Sequence, residues 1–241
     1  MNATLLIAQR ELGTYLRSMT GYVIAAILLL VDGLLFNALA LGGDDKLSAA
    51  VLSNFFLYTS GLTMISSVFI SMRLVAEERQ TGTLVLLTSS PVKDSQIIIG
   101  KFLSGLTFLA MVLALTIFMP LLIRVNGKVS LGHLGAGYLG LLLLGSASMA
   151  IGTLGSTLGR TQVLAAIFSG CMVTAMVLCW MLVHVTERPL NDLFASLALH
   201  NKHFQPFQQG TIHLRDVVYY LMVTAVGLFA AVRVMEARRW R

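Results

Sequence analysis

The 241-residue sequence is 56% hydrophobic and only 12% charged, with a formal net charge of +6 and a mean hydropathy of +0.82. That balance excludes an ordinary soluble globular domain and fits a polytopic membrane protein, in which about 20 residues per crossing leave room for six spans. The positive charge does not point to nucleic acid, because the basic residues sit in loops and at the ends of apolar runs, where cytoplasmic retention of Lys and Arg accounts for them.

Met1 to Met19 sets Leu5, Ala8, Leu12, Tyr15 and Met19 on one side and Gln9, Arg10, Thr14 and Arg17 on the other. This spacing predicts a two-faced helix over 1–19 lying in the cytoplasmic membrane interface. No cleavable leader is expected, since about twenty residues precede the first apolar run and that run is long enough to stay in the membrane. The first span is expected at Tyr22–Leu41, ended by Gly42-Gly43-Asp44-Asp45, and carries Asp32 and Asn37. Asp32 reads as a carboxyl satisfied by the outer interface or a neighbouring helix, or alternatively as a pathway group. The second span, Ser53–Met72, is threaded with serine and threonine, small hydroxyls that allow close helix packing.

Arg73 to Lys101 is the long polar interval between apolar runs. Glu77, Glu78, Arg79 and Gln80 form a charged helical turn that Thr81-Gly82-Thr83 ends, glycine supplying the left-handed conformation of a helix C-terminus. Ser90-Pro91 is expected to restart a helix, with serine as N-cap and Asp94 at the positive dipole end. That helix runs into the third span, Phe102–Ile123, with Gly100 and Gly105 as possible bends. The fourth span, His133–Leu158, places small residues four apart at Ser148/Gly152 and Gly155/Gly159, so that helices can approach closely. A turn at Arg160 leads to the fifth span, Val163–Val185. The segment 186–214 is too interrupted to cross and is expected to fold back on the outer face, ordered by one or two short helices. The sixth span, Val217–Val234, ends in a basic aromatic anchor. Both termini, 73–101 and Arg160 together hold eleven Lys and Arg against six in the alternate loops. Both termini are therefore expected in the cytosol.

Chemical motifs are sparse. No phosphate-binding GxxxxGK[ST] loop occurs: Ser95 stands where the first glycine before Gly100-Lys101 is needed, and Phe102 follows the lysine. His200, His203 and His213 have a spacing compatible with metal ligation, yet without a general-base glutamate or a cysteine cluster they read as interfacial histidines, with no metal. No nucleophile elbow occurs. Cys171 and Cys179 are eight residues apart in one helix, too far for a bridge. No cofactor and no catalytic residue are expected.

The run AEERQTGT, then LLTSSPV before a helix reading IIIGKF, resembles the first cytoplasmic loop of ABC transporter type 2 permeases. HNKHFQPFQQGTIHLRDVVYY resembles the loop before the last span in the branch that includes the gliding-motility and copper-site-maturation permeases. The resemblance covers nearly the whole chain. It implies one all-α integral membrane domain over 1–241, with six transmembrane helices, an interfacial helix, a cytoplasmic coupling helix within 73–101 and a folded-back outer segment at 186–214. It implies an inner-membrane permease, an exporter without ATPase activity of its own, paired with a second permease, identical or related, and with cytoplasmic ABC ATPase subunits, among membrane lipids. Arg73, Glu77, Glu78, Gly82 and Thr83 fall in the region that couples to the ATPase, and His200, His203, Phe204, Phe207 and Gly210 in the outer segment. Val85 departs from relatives that carry an acidic residue there. Two other readings stay open, a membrane-embedded enzyme using the outer-segment histidines and an ion-coupled carrier using Asp32.

Overall fold

A computed structural model describes residues 3–40, 48–83, 92–126, 130–183, 186–187 and 190–239. All regular elements among them are helices. The expected N-cap and proline at Ser90 and Pro91, together with Val85, lie outside the described residues.

Helix α1 spans Ala3–Arg17. Ser18 separates it from α2, Met19–Leu35, by taking an extended conformation in which its Oγ accepts from the Gly21 N–H at 3.1 Å. A π-helical turn, Phe36–Ala40, continues α2. Helix α3 runs Ser48–Leu74 and α4 Ala76–Gln80. Gly82 follows at φ +76°, the left-handed geometry expected of it.

The next helix, α5, spans Asp94–Thr116. It starts later than the sequence suggested, because Val92 and Lys93 are not helical and Lys93 is the N-cap. The cause is Gln96, whose Oε1 accepts from the Lys93 N–H at 3.2 Å, one half of a capping box. The helix is unbroken through Gly100 and Gly105. A Cβ at Gly100 would lie 2.8 Å from the Thr4 carbonyl of α1, and one at Gly105 would lie 3.0 Å from Met149 Sδ, so both serve close packing. The interruption falls at Ile117, because Pro120 in α6, Phe118–Asn126, has no N–H to return to the Thr116 carbonyl.

Helix α7, Leu131–Leu158, is the hub, packed against α3, α8 (Gln162–Val183) and α11 (Leu214–Arg239). Its glycines make this possible. A Cβ at Gly152 would overlap Ser71 of α3, one at Gly155 would overlap Ser169 of α8, and one at Gly159 would meet the Ala165 backbone. The spacing of small residues thus brings together three helices where the sequence pointed to two. The hydroxyls of α3 belong to the same packing: Thr63, Ser66, Ser67 and Ser71 are buried, and the Ser67 Oγ donates to the Gly145 carbonyl at 3.2 Å.

Among the described residues six helices are long and apolar enough to cross a membrane, at Met19–Ala38, Ser48–Gln80, Asp94–Ile123, Leu131–Leu158, Gln162–Val183 and Leu214–Arg238. Each begins before the apolar run that announced it. The alternation of the spans and the links between α1, α4 and the C-terminal ends of α7 and α11 put these at one end of the bundle, the termini end. The far end carries α9, Leu190–Leu197, and α10, Asn201–Gln208.

Candidate functional site

At the termini end, α3 stops and α4 begins at Val75, whose φ of −121° breaks the helix. A break buried in a bundle leaves backbone donors to satisfy, and no side chain of α4 does so. Ser156 of α7 does. Its Oγ accepts from the Val75 and Ala76 N–H groups, both at 3.1 Å, and donates to the Met72 carbonyl at 3.1 Å.

The charges of α4 then divide. Arg73 and Glu77 make a two-pronged pair, Nε to Oε2 at 2.8 Å and Nη2 to Oε1 at 3.0 Å, with the guanidinium 5.7 Å from the Tyr15 ring centre. Glu77 is half-buried by this pairing. Glu78 turns inward, its carboxylate 2.9 Å from the ammonium of Lys101 on α5 and 3.4 Å from Arg10. Lys101 is 1% exposed and also meets Glu11 of α1 at 3.2 Å, while Arg10 meets Glu11 at 2.7 Å. Two cations and two carboxylates therefore balance where an uncompensated buried charge would be costly. Burial alone would push the Glu11 carboxyl up, but the Lys101 ammonium and the bonds from Arg10 and Lys101 outweigh it and hold it below the ordinary range.

Arg79 reaches the C-terminus of α7, its Nη1 donating to the Thr157 carbonyl at 2.9 Å and to Gly159 at 3.0 Å, and Arg238 donates to Leu158 at 3.0 Å. Two guanidiniums there satisfy the last carbonyls and the negative end of the helix dipole. Thr81 donates to the Glu77 carbonyl at 3.0 Å and Thr83 to that of Glu78 at 3.4 Å, so that the exposed turn 81–83 closes α4.

The structure thus places Arg73 at the end of α3, Glu77 and Glu78 in α4 and Gly82 and Thr83 in the turn after it; it adds Glu11 and Ser156, which the sequence reading missed, and gives Arg79 and Lys101 partners that reading did not assign. A lysine deep in the first turns of an apolar helix was the available signal for Lys101, since such a charge needs a buried carboxylate. Ser156 carried none.

Asp32 stands elsewhere, 3% exposed, accepting from Thr59 Oγ1 of α3 at 2.7 Å. At the far end the two histidines part. His200 Nε2 lies 2.6 Å from Ser60 Oγ of α3, whereas His203 donates from Nδ1 to Asp216 of α11 at 2.7 Å and stacks on Tyr219. Burial pushes the His200 imidazole below its ordinary value. Phe204 and Phe207 are fully buried, Phe207 against Gly140 of α7. Gly210, at φ +80°, lets the chain pass His133, which donates from Nε2 to the Gln208 carbonyl at 2.8 Å. Among the described residues of 186–214, two short helices lie back on the bundle, α9 on α8 and α10 on α7, α3 and α11.

No curated protein matches the chain. The model of the family described as ABC-2 family transporter protein matches residues 5–225. A match of that extent, over a bundle with six helices able to cross a membrane, makes this multi-pass chain a transport subunit, and it belongs to the ABC-2 family transporter proteins.

Proposed function

We propose that the chain is the permease of an ATP-binding cassette exporter of the inner membrane, a single domain over 1–241 that forms part of the pathway. A second permease, identical or related, completes that pathway, and separate cytoplasmic ATPase subunits supply the hydrolysis. The termini end faces the cytosol, a placement supported by the eleven basic residues assigned to that side, with α1 in the interface. Outward transport, and the branch of gliding-motility and copper-site-maturation permeases, rest on the resemblance of the two loops. The family match favours this reading over ion coupling at Asp32, whose Oδ1 accepts from Thr59 while its buried Oδ2 has no hydrogen-bond partner among the described residues.

One observation carries the coupling role of 73–101. Helix α4 is five residues long, its tip Gln80–Thr83 is exposed, and its base is bonded to α1, α5 and α7 at once. A load on the tip reaches those helices through short, mostly buried contacts. In this reading Arg73, Glu78 and Arg79 hold the element, while Glu77, Gly82 and Thr83 meet the ATPase. Tagged protein recovered from native membranes should bring an ATPase with it, and the pair Gln80→Lys with Thr83→Lys, both at the exposed tip, should release that ATPase without lowering the melting temperature. Undiminished recovery with the double variant would sink the docking role.

A further inference from the structure

Helix α1 has three sides. Ile7, Glu11 and Tyr15 pack inward; Leu5 and Leu16 are exposed on a second side. The third side carries Arg10 and Arg17, two turns apart and so about 10 Å along the axis. Gly13 stands between them with nothing within 4 Å of where a Cβ would be, and the result is an open furrow of ≈ 600 Å³ lined also by Gln9, Thr14 and Ser18. Among the described residues no carboxylate lines it. Hydroxyl and amide groups between two guanidiniums match a phosphodiester, and the leucines alongside match acyl chains.

Arg10 is shared between this furrow and the charge cluster. Its side chain is 59% exposed, and its tie to Glu78, at 3.4 Å, is the longest in the cluster. Without Arg10, Glu11 and Glu78 face each other across Lys101 alone. We propose that the furrow binds the headgroup of an anionic phospholipid, and that the bound phosphate draws Arg10 from Glu78 and loosens α4. The inference rests on the interfacial placement of α1 proposed above. It makes the seat of α4 sensitive to the charge of the surrounding leaflet.

The full chain in nanodiscs of phosphatidylcholine alone, or of an equal mixture with phosphatidylglycerol, provides the test. Backbone amides of 76–80 should exchange about threefold faster in the anionic discs, the size set by an exposed ion pair. Arg10→Gln should show the faster exchange in both discs, and Arg17→Gln should shrink the lipid effect. Equal exchange in the two discs overturns the inference, as does the same acceleration by inorganic phosphate in phosphatidylcholine discs. Spin labels at Leu5 and Leu16 report the depth of α1 separately. Labels at headgroup depth with equal exchange remove the lipid site and leave the interfacial placement standing, whereas labels in water remove both.

Discussion

The Lys101 ammonium, almost wholly buried in α5, lies 2.9 Å from the carboxylate of Glu78 in α4, so that the short helix is fastened to a membrane span by a charge with no solvent to fall back on. Removing one partner leaves charge uncompensated, which costs more than the pair contributes. Lys101→Met should therefore destabilise by about 3 kcal/mol. Adding Glu11→Gln and Glu78→Gln should recover much of that loss. Thermal unfolding in detergent compares the variants, and a triple variant no better than the single would refute the charge argument.

Ser156 offers a second test, because its hydroxyl serves two buried N–H groups at once. Ser156→Ala should cost about 1–3 kcal/mol for the stranded donors. It should also speed exchange at Val75 and Ala76, while Ser156→Thr keeps the acceptor and should lose far less. Unchanged exchange in the alanine variant would show that the break at Val75 is held by something else.

The approach of α3 and α7 depends on Gly152. Gly152→Ala drives a methyl into Ser71 and should cost about 1–3 kcal/mol by overpacking. Ser71→Gly in the same chain should restore part of the melting temperature. If the two changes simply add, the contact is not the cause.

Acid should act at the far end. Burial lowers His200 from its ordinary 6.5, so the folded state binds its proton less readily than the unfolded one. The contribution of the neutral ring is full above 6.5 and is lost as pH falls through the lower folded value. Proteolysis of 190–208 should therefore accelerate as pH falls from 6.5 through that lower value, and His200→Asn should flatten the dependence. A profile identical in the variant would assign the effect to other groups.

The number of spans, the turn at Gly82 and the short helices within 186–214 were legible in the sequence, because apolar length, a helix-ending glycine and phenylalanines needing burial are local properties of the chain. What Glu78 does was not: a glutamate in a charged turn reads as a surface group until α5 brings Lys101, 23 residues on, and α1 brings Glu11 beside it. Ser156 and Arg79 were invisible for a related reason, since each satisfies backbone groups of another helix about 80 residues away. The helix start at Asp94 and the break at Ile117 turned on Gln96 and Pro120, single side chains acting three or four residues upstream of themselves. Periodicity fixes where helices form; which buried donors and charges meet is decided when the glycines of α7 let its neighbours close on it.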